Sequence, residues 1–354
     1  MTSIKASFKK YTLKFKMPSG TSRGVLKTKE TWFIILQKQN KFGIGETGLF
    51  RGLSIDDVPH YEEKLALACK NINLGLATLL NEFSEYPSIQ FGLEQAFLSL
   101  ASKDPFQLYP SEFSQSKDVI NINGLIWMGH QSFMKQQIKD KLEEGFSCIK
   151  MKIGAIHFEE ELALLKSIRK EFSKEEIELR VDANGAFSPK DALQKLEALS
   201  KFNLHSIEQP IKQGQLEEMA LLCEKTPLPI ALDEELIGLF SLEKKQKLIS
   251  TIHPQYIILK PSLVGGFSGS KEWIKLAEQQ NIGWWVTSAL ESNIGLNAIA
   301  QFTYTLQNKM PQGLGTGSLF TNNLDSPLYV DNGNLIYSST NRWAIDIPNF
   351  LLKK

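Results

Sequence analysis

Lys152, Asp182, Glu208, Asp233 and Lys260 follow one another at intervals of 30, 26, 25 and 27 residues. Each closes a short run of strand-like composition: Cys148-Ile-Lys-Met-Lys-Ile153, Leu179-Arg-Val-Asp-Ala-Asn-Gly185, Ser206-Ile-Glu-Gln-Pro210, Ile230-Ala-Leu-Asp-Glu234 and Ile257-Ile-Leu-Lys-Pro261. Three carboxylates with no His or Cys beside them offer hard oxygen donors, a set suited to Mg²⁺ or Mn²⁺ rather than zinc or copper. An ion held this way keeps positions open for a substrate carboxylate. The flanking lysines, Lys152 and Lys260, then stand ready for a proton next to that carboxylate. A lone Asp at a strand end is ordinarily a capping or salt-bridged residue; three in phase have a shared cause more economically.

The interval is about one strand-loop-helix-loop unit, because parallel strands need a helical crossover. One charge per unit at the carboxyl end of the strand is how a (β/α)8-type barrel builds a site on its rim. Along the first of these strands Ile149, Met151 and Ile153 face one way and Lys150 and Lys152 the other. Helices follow at Phe158–Phe172, with Leu162, Leu165 and Ile168 at helical spacing, and after Ser188-Pro189, an N-cap followed by proline at the first helical position. Val119–Gly124 is expected as barrel strand one and Trp284–Ser288 as strand seven. Strand eight is expected near Gly313-Leu-Gly-Thr-Gly317 but is poorly marked. Before the barrel, Ala6–Met17 and Thr31–Gln37 read as strands, with a turn or loop at Pro18–Gly24. Gly43-Ile-Gly-Glu-Thr-Gly48 lacks the helix and lysine of a phosphate loop and reads as a hairpin end. Leu65, Ala66, Cys69, Ile72 and Leu76 are helically spaced. The expected plan is an α+β capping domain over 1–115, a barrel over 116–321, and a segment 322–354 that returns to the cap.

Forty basic against thirty-nine acidic residues argue against a nucleic-acid partner. No apolar run is long enough to span a bilayer, and the opening residues lack a secretory apolar core. Three widely spaced cysteines, Cys69, Cys148 and Cys223, read as free thiols of a reducing, cytoplasmic setting. The expected partner is a small carboxylate.

Lys150-x-Lys152, Asp182-Ala-Asn-Gly, Ile207-Glu-Gln-Pro, Asp233-Glu and Leu259-Lys-Pro, in this order, resemble the enolase superfamily, muconate-lactonizing subgroup. The resemblance implies a modified (β/α)7β barrel, metal ligation by Asp182, Glu208 and Asp233, and abstraction of the proton alpha to a carboxylate. Pro261-Ser-Leu-Val-Gly-Gly266, Ser288-Ala-Leu-Glu-Ser292 and Gly313-Leu-Gly-Thr-Gly317 resemble the subgroup's dehydratases of menaquinone synthesis. Those enzymes convert 2-succinyl-6-hydroxy-2,4-cyclohexadiene-1-carboxylate to 2-succinylbenzoate. The subgroup's dipeptide epimerases carry Asp-x-Asp where this chain has Gly313-Leu-Gly. By the same resemblance Lys152 removes the proton and helps the hydroxyl leave, Lys260 is a cation on the other face, and Lys150 tunes Lys152. Thr287, Ser288 and the Gly313 backbone are candidate substrate contacts, as is Arg23 on a lid-like segment, Pro18–Lys27. The competing readings are an N-acylamino acid racemase, a dipeptide epimerase or a cycloisomerase of the same superfamily, and a non-catalytic barrel that binds a carboxylated metabolite.

Overall fold

A computed structural model of the chain describes residues 3–21, 24–127, 129–154 and 156–348. The first three strands, β1 (Lys5–Thr21), β2 (Gly24–Lys38) and β3 (Lys41–Gly48), form an antiparallel sheet in the order β1-β2-β3. Helices α1 (Tyr61–Lys70), α2 (Leu76–Glu82) and α3 (Pro87–Ala101) follow. Trp32, Ile34 and Leu36 of β2 meet Leu65, Ile89, Leu93 and Ala96 from these helices in one core. Of the expected loop at Pro18–Gly24, residues 18–21 and Gly24 instead continue the two strands, with Ser19 opposite Leu26 after a register shift, and residues 22–23 lie outside the described residues. Gly43–Gly48 is likewise strand, not a hairpin end, because its glycines let it lie directly on α3.

Asp56, ahead of α1 in the chain, is fully buried against the start of α3. Its Oδ2 accepts from the Ser88 backbone N–H at 2.9 Å and from Ser88 Oγ at 2.6 Å. Burial, outweighing these bonds, pushes its carboxyl up to about 6. The folded chain therefore holds a proton there that the unfolded chain has released. The stability from this group is full at low pH and is lost as pH rises through about 6. Relative to Asp56→Asn, wild type is expected to lose roughly 3 kcal/mol between about pH 4 and pH 7. Urea melts of both proteins at the two pH values measure this, and a constant difference would count against it.

Next in order come β4 (Ile120–Asn121), β5 (Gly124–Ile126), α4 (Gln131–Glu143), β6 (Cys148–Lys152), α5 (Phe158–Glu171), β7 (Glu178–Asp182), α6 (Pro189–Ser200), β8 (Ser206–Glu208), α7 (Leu216–Lys225) and β9 (Ile230–Leu232). Then follow α8 (Leu242–Ile252), β10 (Tyr256–Leu259), α9 (Pro261–Val264), α10 (Gly266–Gln279), β11 (Gly283–Val286) and α11 (Asn293–Thr305). Strands β5 to β11 are parallel neighbours in chain order. The ring closes through two residues. Gln312 pairs with Ile122, and Gly313 pairs with Thr287. This pair of residues is strand eight. Its sequence carries no hydrophobic alternation because it is only two residues long, which is why it is so faint in the chain. The expected strand one is also divided: Ile120–Asn121 leaves the barrel to pair with the hairpin of β12 (Leu328–Asp331) and β13 (Asn334–Tyr337).

The main core lies between sheet and helices and includes Ile149, Met151 and Ile153. Inside the barrel is a separate small cluster of Ala231, Ile258 and Trp285. Buried Arg180 lies 4.3 Å from the Trp285 ring and donates to the Pro311 carbonyl at 2.9 Å, beside strand eight. After the barrel the chain touches both domains. Asn322 bonds to β1, Trp343 stacks on Phe106, and Ile347 packs with Phe33 and Ile44. Cys148 and Cys223 are buried and Cys69 is half-buried, all as free thiols. Burial pushes the Cys69 and Cys223 thiols up to about 12, which keeps them unreactive. Among the described residues no helix is long and apolar enough to cross a membrane.

Candidate active site

The carboxyl ends of β6 to β10 carry the five periodic charges, and Lys150 joins them from one turn of the pleat below Lys152. Alternation sends both lysines inward, since the odd residues of β6 are claimed by the outer core. Lys150 Nζ bonds to Glu208 Oε2 and lies 3.0 Å from Asp182 Oδ2. Lys152 Nζ donates to the same Asp182 oxygen at 2.9 Å and to Asn184 Oδ1 at 2.7 Å. Lys260 Nζ bonds to Asp233 Oδ2 and stands 3.9 Å from Glu208 Oε1. One polar network therefore links all six groups, three lysines facing three acids.

Burial decides the electrostatics. Burial alone would raise the Asp182 carboxyl, yet Lys150 and Lys152 hold it well below the usual carboxylate range. For Glu208, burial and then repulsion from Asp182 and Asp233 push the carboxyl up to about 8, against the pull of Lys150 and Lys260. Lys150 and Lys260 are opposed by burial but kept above the ordinary lysine value by the carboxylates they face.

Among the described residues no three His, Cys, Asp or Glu side chains stand gathered at metal-binding spacing. The ammonium groups lie between the acids and serve as their counterions. The donor chemistry nevertheless fits a hard divalent cation. Glu208 Oε1 is buried and accepts no hydrogen bond, an arrangement that costs free energy unless a cation meets it.

A cavity of about 310 Å³ opens above this network and is lined by Lys150, Lys152, Asp182, Asn184, Lys260, Thr287, Ser288 and Gly313. Its upper wall is apolar, with Phe50, Leu53, Trp127, Leu290 and Leu319. Both Thr287 and Ser288 border it, although Ser288 Oγ is engaged by Thr316 Oγ1 at 2.6 Å. Arg23 lies outside the described residues.

Three contributors escape the charge periodicity. Asn184 bridges Lys152 to Glu234, donating from Nδ2 to Glu234 Oε1 at 3.0 Å. It sits at φ 44°, in the left-handed region that Asn tolerates well. Gln209 accepts from the backbone N–H groups of Asp233 and Glu235, fixing the turn after β9. Gln137 clamps Trp127 through both its backbone N–H and its carbonyl, at 2.9 and 3.0 Å. The first two lie inside the Asp-Ala-Asn-Gly and Glu-Gln-Pro runs, so adjacency to a charged strand end was the available signal. The third pairing is visible only in three dimensions.

Gly313 has a steric reason to be glycine. A Cβ there would lie 2.3, 2.8 and 2.9 Å from Thr287 Oγ1, Cγ2 and Cβ. Rotation of the Thr287 side chain moves Oγ1 and Cγ2 but leaves its Cβ at 2.9 Å. Gly313→Ala is expected to destabilise the chain by about 1–3 kcal/mol and to lower turnover, because strand eight must shift. Thermal melts and kcat/KM test this; wild-type values of both would show that the closure yields freely.

A family model for the enolase C-terminal domain-like fold matches residues 134–340. An o-succinylbenzoate synthase from Desulfotalea psychrophila is 48% identical over 94% of this chain and 99% of its own. The chain belongs to the o-succinylbenzoate synthases of the enolase superfamily. A solved structure of MenC from Desulfotalea psychrophila superposes with a TM-score of 0.84 at 44% identity, covering 94% of this chain and 99% of that one. A dipeptide epimerase from Enterococcus faecalis, complexed with Mg and the dipeptide L-Leu-L-Tyr, has a TM-score of 0.83 at 19% identity. That match covers 97% of this chain and 99% of the epimerase, and shows that the fold is common to both.

Proposed function

We propose that the chain dehydrates 2-succinyl-6-hydroxy-2,4-cyclohexadiene-1-carboxylate to 2-succinylbenzoate, the aromatic acid of menaquinone synthesis, in the cytoplasm. The observation that carries this reading is the placement of two lysines in one buried cavity. Lys152 ends the second strand of the ring and Lys260 follows the sixth. Strands four apart in an eight-membered ring face each other across it. A flat ring between them presents one face to each.

Asp182, Glu208 and Asp233 would hold a divalent cation, Mg²⁺ or Mn²⁺, which supplies positive charge for the substrate carboxylate and for the charge that builds up next to it. Lys152 takes the proton alpha to that carboxylate. The same ammonium then returns a proton to the departing hydroxyl, so one C–H and one C–O bond break and water leaves. Lys260 lies over the opposite face as a cation. Asn184 orients Lys152 from the side, and the apolar upper wall excludes water from the reaction. Thr287, Ser288 and the Gly313 backbone border the substrate's second acid arm.

The test is direct. The cyclohexadiene carboxylate is supplied with Mg²⁺ or Mn²⁺ and its ultraviolet absorbance is followed. Absence of turnover by the wild-type chain would remove this reading. Incubation of an N-succinyl amino acid in deuterated solvent tests the racemase alternative, which requires both lysines to exchange protons with the substrate.

A further inference from the structure

The Gly43-Ile-Gly-Glu-Thr-Gly48 run takes no part in the chemistry above, yet it is among the most tightly built parts of the molecule. A Cβ on Gly43 would stand 2.4 Å from the Ala96 carbonyl oxygen, and one on Gly45 2.0 Å from that of Gly92. The two glycines therefore bring β3 against the backbone of α3. Gln95 of that helix reads the next residue on both sides, accepting from the Glu46 N–H at 3.2 Å and donating to the Glu46 carbonyl at 3.1 Å. Glu46 is thus fixed by its own backbone, and its side chain leaves the cap.

Across the domain joint, the Glu46 carboxylate accepts from Ser292 N at 2.9 Å, Ser292 Oγ at 2.5 Å and Gly295 N at 2.8 Å, with Thr31 Oγ1 at 2.8 Å completing its shell. It is fully buried. The first turn of α11 is therefore held by an acid from the other domain, in the position where negative charge suits a helix start. The residues just before that turn border the cavity. Glu291 accepts from Ala289 N at 2.7 Å and from Ser262 Oγ at 2.6 Å, tying the turn after β11 to the turn that follows Lys260. Between Ala289 and Glu291, Leu290 sits at φ 63°. A branched side chain in the left-handed region is strained and persists only where its surroundings over-determine it.

We propose that Glu46 is a positioning residue: by anchoring Ser292 from the cap, it holds the Ser288–Leu290 turn in the strained form that walls the substrate. This rests on the reading that the cavity binds the substrate of the proposed dehydration. On the proposed reading the turn borders the substrate's second acid arm rather than the reacting carbon, so its loosening is expected to act mainly on KM.

Amide hydrogen exchange and steady-state kinetics on the full chain test this together. In Glu46→Gln, the Ser292 and Gly295 amides are expected to exchange at least tenfold faster while those of α3 keep wild-type protection. KM is expected to rise roughly tenfold with kcat within about threefold of wild type. Ser292→Ala removes one of the four donors, together with the bond that Ser292 Oγ accepts from Ile294 N at 3.2 Å, and leaves the capping domain untouched. A smaller rise in KM and in the same two exchange rates is therefore expected, with the Ile294 amide exchanging faster as well. It serves alone if Glu46→Gln does not fold. Wild-type exchange and KM in the variants that fold, or kcat falling in step with the folded fraction, overturns the proposal. A wild-type chain without turnover would sink the dehydratase reading instead; the exchange rates still report whether Glu46 holds the turn.

Discussion

Lys152→Ala is expected to lower kcat by about 10²- to 10⁴-fold, the range that a positioned general base contributes. The fold should survive, because among the described residues Lys152 Nζ bonds to Asp182 and Asn184, and Asp182 keeps Lys150 at 3.0 Å. Arginine replacements separate the two lysine roles. A guanidinium stays protonated, so Lys152→Arg should be as inactive as the alanine variant. On the proposed mechanism Lys260 only presents positive charge over the ring, so Lys260→Arg should recover part of the activity that Lys260→Ala loses. Loss of the substrate's ultraviolet absorbance measures all four variants. Full turnover by Lys152→Ala would end the assignment of the base, and equal loss in both arginine variants would make Lys260 a second proton carrier.

Glu208 carries the second large effect. It is the middle acid of the three, with one oxygen on Lys150 and the other without a hydrogen bond. Burial and two neighbouring carboxylates make its ionised form costly, pushing it up to about 8. A divalent cation would relieve that cost. Added Mg²⁺ or Mn²⁺ at a hundredfold excess over its Kd should stabilise wild type by about 2.7 kcal/mol, and chelation should abolish turnover. Glu208→Gln removes the charge while keeping the shape, and both responses should disappear with it. Metal titrations followed by thermal melting and by turnover test this. A Glu208→Gln chain that still gains stability from the metal would place the ion elsewhere.

The charges were the legible part of this protein, and the reason is periodic geometry. A parallel strand feeding a helix returns to the same rim after a fixed length of chain, so Lys152, Asp182, Glu208, Asp233 and Lys260 announce their common rim by spacing alone. Alternation within β6 separated the inward lysines from outward Ile149, Met151 and Ile153, as the outer core shows. Strand eight was faint, expected near Gly313 but poorly marked, because Gln312 and Gly313 are held by pairing on both sides and by no pattern of their own. The Gly-x-Gly-Glu run looked like a loose hairpin end for a related reason. Glycines that admit a neighbouring helix and glycines that bend a turn have the same spelling.

The amino-acid sequence by itself determined the barrel plan, the order of its charged strand ends and the class of chemistry they can do, since those depend on local periodicity and residue type. Only the tertiary structure decided how the charges are shared, with Lys150 and Lys152 meeting at one Asp182 oxygen and Glu208 left with an open one. It alone also joined Glu46 to Ser292, 246 residues away. Burial and long-range contact set those features, and neither is written in the spacing of neighbours along the chain.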